Sequence, residues 1–402
     1  MTVSDEQCRR TVPSRLYANG LSLSDFEELT SQTINAKIYP LATAVISNVP
    51  VYDLSSFDIT DLHVTSALQD EWHHIILSGP GVLVLRSMFP DPYLLDSASR
   101  AFVRIINREK SQSRGDHFAK GGQNHRIWNS FGKHAAVDPA SFVEYYSNPW
   151  LALICDAWLG PAYRVTAQVN IVKPGGAAQI AHRDYHLGFQ TAESCARFPI
   201  AMQIASQLLT LQGAIAHTDM PVESGPTRLL PFSQKFEEGF LAYRRPEFTD
   251  YFLEHFISLP LQKGDGIFFN SALFHAAGCN KTSSLERSAN LLQISSAFGK
   301  PMESIDSIAV IDRTWDAISE KVRHGGLTKE VRAFVAAVAD GYPFPTNLDN
   351  RPPGPDGMAP ESEQELLLRS LEENWSKKKV LHSLSQMRDD SLGRINIQCN
   401  AS

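Results

Sequence analysis

Between residues 163 and 300 the chain writes one short β-rich run after another, with no long helical stretch between them. The runs are YRVTAQVNIV, AMQIASQLLTLQGAIA, TRLLPFS, GIFFN and ANLLQISSA, punctuated by Gly, Pro, Asn and Ser. A parallel sheet needs a crossover helix between successive strands. Many short strands without such helices predict an antiparallel barrel or jelly roll.

The flanks read differently. GVLVLRSMF (81–89) reads as a buried strand. PYLLDSASRAFVRIINREK (92–110) has helical spacing, with Leu94, Leu95, Ala98, Phe102 and Ile105 on one side. RGDHFAKGGQNHR (114–126) reads as a loop, and residues 138–160 as two short helices broken at Pro149 and ended by Gly160. Beyond 300, SIDSIAVIDRTWDAISEKV and LTKEVRAFVAAVAD are amphipathic. Residues 347–360, rich in Pro and Gly, should run over the surface, and Ser362 and Glu365 are spaced as a capping box. The expected fold is therefore mainly β with flanking helices. It has an N-terminal extension (1–70), a double-stranded β-helix core with a helical layer (71–300) and a C-terminal helical extension packed on it (301–402).

Composition narrows the partners. A formal charge of -7 on 402 residues argues against a nucleic-acid binder, which would need a basic face. No run approaches the roughly 18 apolar residues of a membrane span, and MTVSDEQCRR lacks the apolar core of a signal peptide. Cys8, Cys155, Cys195, Cys279 and Cys399 are scattered and form no C-x-x-C, which argues against a disulfide framework or a zinc ribbon. The expected setting is cytoplasmic and the expected partner a small molecule; oligomeric state is open.

Two stretches, AHRDYHLG and AHTDMPVESG, each contain His-x-Asp: His182/Asp184 and His217/Asp219. On a strand, residues i and i+2 share a face, so either pair can hold a metal. An isolated pair is more often chance. A further histidine, His275, stands in LFHAAG, and Arg287 follows twelve positions on. The turn-forming NKTSS between them predicts a hairpin that brings the two together. Two histidines and a carboxylate form the facial triad of non-haem Fe(II) oxygenases, and an arginine fork suits a carboxylate-bearing co-substrate. A Zn(II) or Mn(II) hydrolase could use the same donors with a bound water, but has no need of Arg287. A non-catalytic binding jelly roll has no need of the triad.

From about residue 75 to 300 the sequence resembles the phytanoyl-CoA dioxygenase-type Fe(II)/2-oxoglutarate-dependent oxygenases. LSGPGVLVLRSMF resembles the family's opening strand, and AHRDYHLG its His-x-Asp iron motif. HTDMPVESGPTRLLPFSQKF resembles a downstream strand-turn block, and GDGIFFNSALFHAAGCNKTSSLERSA the final His and Arg block. The resemblance assigns His182, Asp184 and His275 as iron ligands, leaves His217 a bystander, and gives Arg287 the distal carboxylate of 2-oxoglutarate. It also implies that Gln179, three residues before the first iron histidine, and Thr227 of the Gly-Pro-Thr turn contact that co-substrate. PFSQ departs from the usual Pro-Gly-Ser-His, in a turn away from the iron. Asp184 fills the position that the family's halogenases leave open, so simple halogenation is not expected. The implied cofactors are Fe(II), 2-oxoglutarate and dioxygen. The implied reaction is oxidation of a small organic molecule, of a kind found in secondary metabolism. Hydroxylation is the default; desaturation, epoxidation and cyclisation are open.

Gln168 and Asn170 share a face of one strand and either line the pocket or brace the sheet; Asn170 is grouped with the co-substrate residues. Lys120 and Arg126, in the Gly-rich segment 114–128, are candidate contacts of the primary substrate, and that segment is a candidate lid. His186 and Phe189, just past the iron motif, are further candidates. His73 and His74 read as a helix-end feature.

Overall fold

The computed structural model describes residues 12–17, 20–109 and 124–392. Its strands are β1 (Ala44–Ile46), β2 (Val49–Asp53), β3 (Val82–Arg86), β4 (Asn124–Ile127), β5 (Arg164–Val172), β6 (Thr210–Ala216), β7 (Arg228–Leu229), β8 (Ile257–Ser258), β9 (Gly266–Asn270), β10 (His275–Ala276) and β11 (Arg287–Ser295). Eight form one sheet in the order β1-β2-β3-β9-β6-β11-β5-β4, and β10-β7-β8 form a second. Every pairing is antiparallel except β2 with β3. This is the expected jelly roll. Residues 44–53, from the segment expected as an extension, supply two strands of the large sheet.

The period of two in each strand builds two separate cores. On one face of the large sheet Ala214, Ala216, Ile267, Phe269 and Ala289 pack against Leu229, Leu259, Leu261 and Leu273 around the small sheet. On the other face Leu211, Ile215, Leu292 and Ile294 pack against helices through Trp72, Phe102, Phe131, Phe142 and Tyr145. Trp315, Phe334, Leu367 and Val380, from the helices after 300, join the same cluster.

The helices Pro92–Glu109, Pro139–Tyr146 and Pro149–Leu159 form where the spacing predicts, and Gly160 ends the last at φ 69°. The capping box at Ser362 and Glu365 is present. Three expectations fail. Residues 201–208, read as β, belong to the helix Ile200–Leu208, whose buried Gln203, Ser206 and Gln207 follow a helical period that apolar composition hid. Residues 124–126, read as loop, lie in β4, which takes its form from pairing with β5 and not from its own polar sequence. The hairpin of β10 and β11 does not exist. β10 pairs with β7, and β11 with β5 and β6, so residues 277–286 cross from one sheet to the other.

His134 and His217 are buried in the helical layer. His217 sits 2.9 Å from the Ser99 hydroxyl and 3.0 Å from the Tyr145 hydroxyl, while His134 sits 2.8 Å from that of Ser141. Burial lowers their pKa values from 6.5 to about 3 for His217 and about 4 for His134. Both are neutral when folded and take up protons only on unfolding below pH 6.5. The unfolded state therefore binds more protons as the pH falls, and stability is lost from about pH 6.5 toward pH 4. Each histidine contributes up to about 1.4 kcal/mol per pH unit to that slope. Urea unfolding between pH 7 and 5 should show it, and His217→Gln should reduce proton uptake on unfolding by about one. An unchanged slope in that variant would mean that His217 is protonated in the folded protein.

Candidate metal centre

The segment carrying His182 lies alongside β10. His182 and His275 exchange both backbone hydrogen bonds, at 2.9 and 3.0 Å. Gln179 N–H donates to Ala277 O at 2.9 Å, and Asp184 N–H to Ser271 O at 3.0 Å. This register sets the two imidazoles side by side, with centroids 4.4 Å apart. His182 Nδ1 lies 2.8 Å from Ile180 O, and His275 Nδ1 lies 2.9 Å from Leu273 O. A carbonyl only accepts, so each Nδ1 carries a proton, and in the neutral imidazole Nε2 is the atom left to bind a metal. Both Nε2 atoms face the same oxygen, Asp184 Oδ2, at 3.9 and 3.7 Å. Acceptors aimed at one another in this way suit a shared cation. The ligand atoms of His182, Asp184 and His275 all lie within 4.8 Å of one another.

Supporting groups fix these donors. Burial would raise the pKa of Asp184; with no metal bound, the positive charge of His182 and His275 when protonated, and the Gln212 hydrogen bond, outweigh it and hold the carboxyl well below its usual range. Gln212 Nε2, on β6, donates to Asp184 Oδ2 at 2.8 Å. Arg183, between the two ligands, is fully buried on the opposite side. Its Nη2 donates to Ser233 O at 2.6 Å and Phe236 O at 2.7 Å. Its guanidinium also lies 5.2 and 5.3 Å from the ring centroids of Phe240 and Phe274. Arg183 thus pins the ligand-bearing segment from behind. A Cβ added at Gly239 would run into that guanidinium. Gly239→Ala should therefore cost about 1–3 kcal/mol in chemical unfolding and weaken metal binding with it; an unperturbed variant would show that the Arg183 pocket is soft.

One cavity of about 110 Å³ lies between the sheets, lined by all three donors and by Arg287, Gln179, Thr227 and Asn170. The two sheets face each other, which is why His275 and Arg287 share it without a hairpin. Arg287 is 5% exposed, and its Nη1 donates to Ser224 O at 3.2 Å and Gly278 O at 3.3 Å. Those carbonyls belong to two turns in close contact: a Cβ at Gly225, at φ 70°, would strike the backbone of Gly278 and Cys279. Burial lowers the pKa of Arg287 to about 10. Gln179 Oε1 accepts from Ala277 N–H at 3.1 Å, which leaves its amide nitrogen as a donor.

The second His-x-Asp pair does not reach this cavity. His217 is held in the helical layer, and Asp219 Oδ1 accepts from Lys263 N–H at 2.9 Å. Arg126, on β4, lines the cavity; its Nη1 donates to Gln168 Oε1 at 3.0 Å, and its guanidinium lies 5.2 Å from the Trp128 ring centroid. His186 and Phe189 are not among the residues that line it. His186 lies 3.3 Å from the Thr210 hydroxyl, and Phe189 is half exposed. Lys120 and residues 114–123 of the candidate lid lie outside the described residues. His73 and His74 meet Ala157 O and the Tyr39 hydroxyl at 3.0 and 2.9 Å, as helix-surface contacts. Sequence reasoning missed Arg183, Gln212 and Gln293, whose roles depend on segments brought in from elsewhere in the chain.

A jelly roll presenting two histidines and one carboxylate in an inter-sheet cavity defines the class of 2-His-1-carboxylate proteins. The chain belongs to the phytanoyl-CoA dioxygenase family, whose sequence pattern it matches over residues 78–289. It is 28% identical over 151 residues to dioxygenase andF of Emericella variicolor, covering 36% of this chain and 46% of that protein. It is 30% identical over 168 residues to dioxygenase olcK of Penicillium canescens, covering 42% and 48%. The match thus spans less than half the length of these relatives. Among solved structures, the α-ketoglutarate-dependent carbocyclase SnoK from nogalamycin biosynthesis is 17% identical, with TM-score 0.43, over 60% of this chain and 90% of that one. The epimerase SnoN in complex with Fe3+, α-ketoglutarate and nogalamycin RO is 15% identical, with TM-score 0.40, over 59% and 85%.

Proposed function

We propose that the protein is a non-haem Fe(II)- and 2-oxoglutarate-dependent dioxygenase that oxidises a small organic molecule. One observation carries this beyond metal binding. Arg287 is a buried guanidinium in the metal cavity and has no carboxylate partner among the described residues. A buried cation calls for an anion, and its planar fork fits a carboxylate.

His182, Asp184 and His275 hold the metal. Arg287 pairs with the distal carboxylate of 2-oxoglutarate, while Gln179 offers an amide N–H, Thr227 a hydroxyl and Asn170 an amide to the same ligand. Met220, Leu261, Ile267 and Phe269 wall the cavity and exclude water. Fe(II), with 2-oxoglutarate and dioxygen, supplies an oxidant for an unactivated C–H bond, and the co-substrate leaves as succinate and carbon dioxide. The chain's task is to place one C–H of the substrate beside the metal. Hydroxylation is the default outcome. Desaturation, epoxidation and cyclisation follow from a different placement of the same substrate.

Arg126 is the substrate contact best supported, because it lines the cavity. His186 and Phe189 would meet only a substrate that extends beyond it. The setting is cytoplasmic in this reading; among the described residues, no helix is long and apolar enough to cross a membrane. Purified protein given 2-oxoglutarate under air should form succinate slowly without added substrate. The signal should require Fe(II) and vanish under argon. Succinate-free metal-dependent ester or amide cleavage would favour a hydrolase instead.

A further inference from the structure

The cavity has two unlike ends. Arg287, Ala289, Leu291 and Gln293 alternate along the inward face of β11, and Gln212, Ala214 and Ala216 along that of β6. Gln212 and Gln293 are direct cross-strand partners. Six residues of extended strand separate Gln293 from Arg287, about 20 Å. Ionised 2-oxoglutarate anchored at Arg287 offers only acceptor oxygens, so even where its keto-acid end nears the metal it cannot pair with an amide oxygen of the glutamine pair. The pair adjoins Asp184 through the Gln212 hydrogen bond.

Gln212 is 6% exposed, and its amide orientation is fixed chemically. Its nitrogen faces the Asp184 carboxylate, which only accepts, so the other amide atom is an oxygen acceptor. That oxygen is buried and has no partner among the described residues, and neither has Gln293 Oε1. Buried amide oxygens are nearly always paired. A donor delivered into the cavity would pair with Gln212 Oε1.

We propose that the primary substrate is an alcohol whose hydroxyl docks on the Gln212–Gln293 pair, beside Asp184. This rests on the dioxygenase reading above. A hydroxyl donates to Gln212 Oε1 and, with the Gln293 amide turned over, which no partner among the described residues prevents, accepts from the Gln293 nitrogen. A ketone, an ether or an ionised carboxylate has no proton to donate and leaves Gln212 unpaired. Docking there sets the hydroxyl next to the metal, so the oxidised carbon lies close to a carbon that already bears oxygen.

The test uses Zn(II)-loaded protein saturated with 2-oxoglutarate, in which no turnover occurs. Binding of 2-oxoglutarate is checked first; its failure would sink the dioxygenase reading rather than this one. Calorimetry then compares matched probes on rigid skeletons: borneol with camphor, 2-adamantanol with 2-adamantanone, and the methyl ether of each alcohol. The alcohols should bind about tenfold or more tightly than their ketones and ethers. Gln212→Met should bring the ratio within about twofold, and Gln293→Met should reduce it. Gln212→Met also removes a bond to Asp184, so the readout is the ratio within each protein, with melting temperature showing that each variant is folded. The proposal is overturned by alcohols that bind no better than their ketones, by no alcohol binding at all, or by an alcohol preference that survives Gln212→Met.

Discussion

Replacing any one of His182, Asp184 and His275 with Ala should lower Fe(II) affinity by at least about 100-fold and abolish succinate formation. Losing a group that merely supports a ligand costs about 10–100-fold, so losing a ligand itself should cost at least the upper figure. His217→Ala is the informative control. It removes the other His-x-Asp histidine, which the fold holds between Ser99 and Tyr145 in the helical layer. That variant should lose stability but bind one Fe(II) per chain at near wild-type affinity. Metal content after gel filtration, with a competitive chelator titration, checks both halves. If His217→Ala loses iron while His182→Ala keeps it, the donor set is wrong.

The second large effect concerns Arg287. Arg287→Lys keeps the charge but loses the fork, and its shorter reach leaves Ser224 O and Gly278 O without their donor. A hydrogen bond to a charged group is worth roughly 1.5–3 kcal/mol, so the KM for 2-oxoglutarate should rise about 10- to 150-fold. Fe(II) affinity should change far less, because Arg287 touches none of the three donors. An unchanged KM would place the carboxylate anchor elsewhere.

Much of this was legible in the sequence, for identifiable reasons. The His-x-Asp motif, the final histidine and the arginine are local patterns, and the extended backbone at the bridge of His182 with His275 turns His182 and Asp184 toward each other. The choice between His-x-Asp pairs was not settled by spacing, which is identical in both. It came from the order of the blocks, and the structure shows the physical difference: His182 is paired across strands with His275, whereas His217 turns into the helices.

What the sequence hid depends on partners far along the chain. β4 is a strand because β5 lies beside it. Gln212 and Gln293 look like ordinary strand residues until the register sets them opposite each other. Nothing in the sequence marks Arg183 as the residue whose guanidinium is spent on the carbonyls of Ser233 and Phe236. The failed hairpin has the same origin. A turn-forming segment says that the chain reverses, not which sheet it returns to.

His182, Asp184 and His275 are expected to bind iron in a cavity that also takes 2-oxoglutarate. Anaerobic titration of the protein with Fe(II) and 2-oxoglutarate tests it most directly, because the keto acid chelated to Fe(II) gives a visible charge-transfer band that neither gives alone. The band should saturate at one Fe(II) and one 2-oxoglutarate per chain, disappear in Asp184→Ala, and require more 2-oxoglutarate in Arg287→Lys. Saturating Fe(II) binding with no band at any 2-oxoglutarate concentration would mean that the cavity does not take 2-oxoglutarate on the metal.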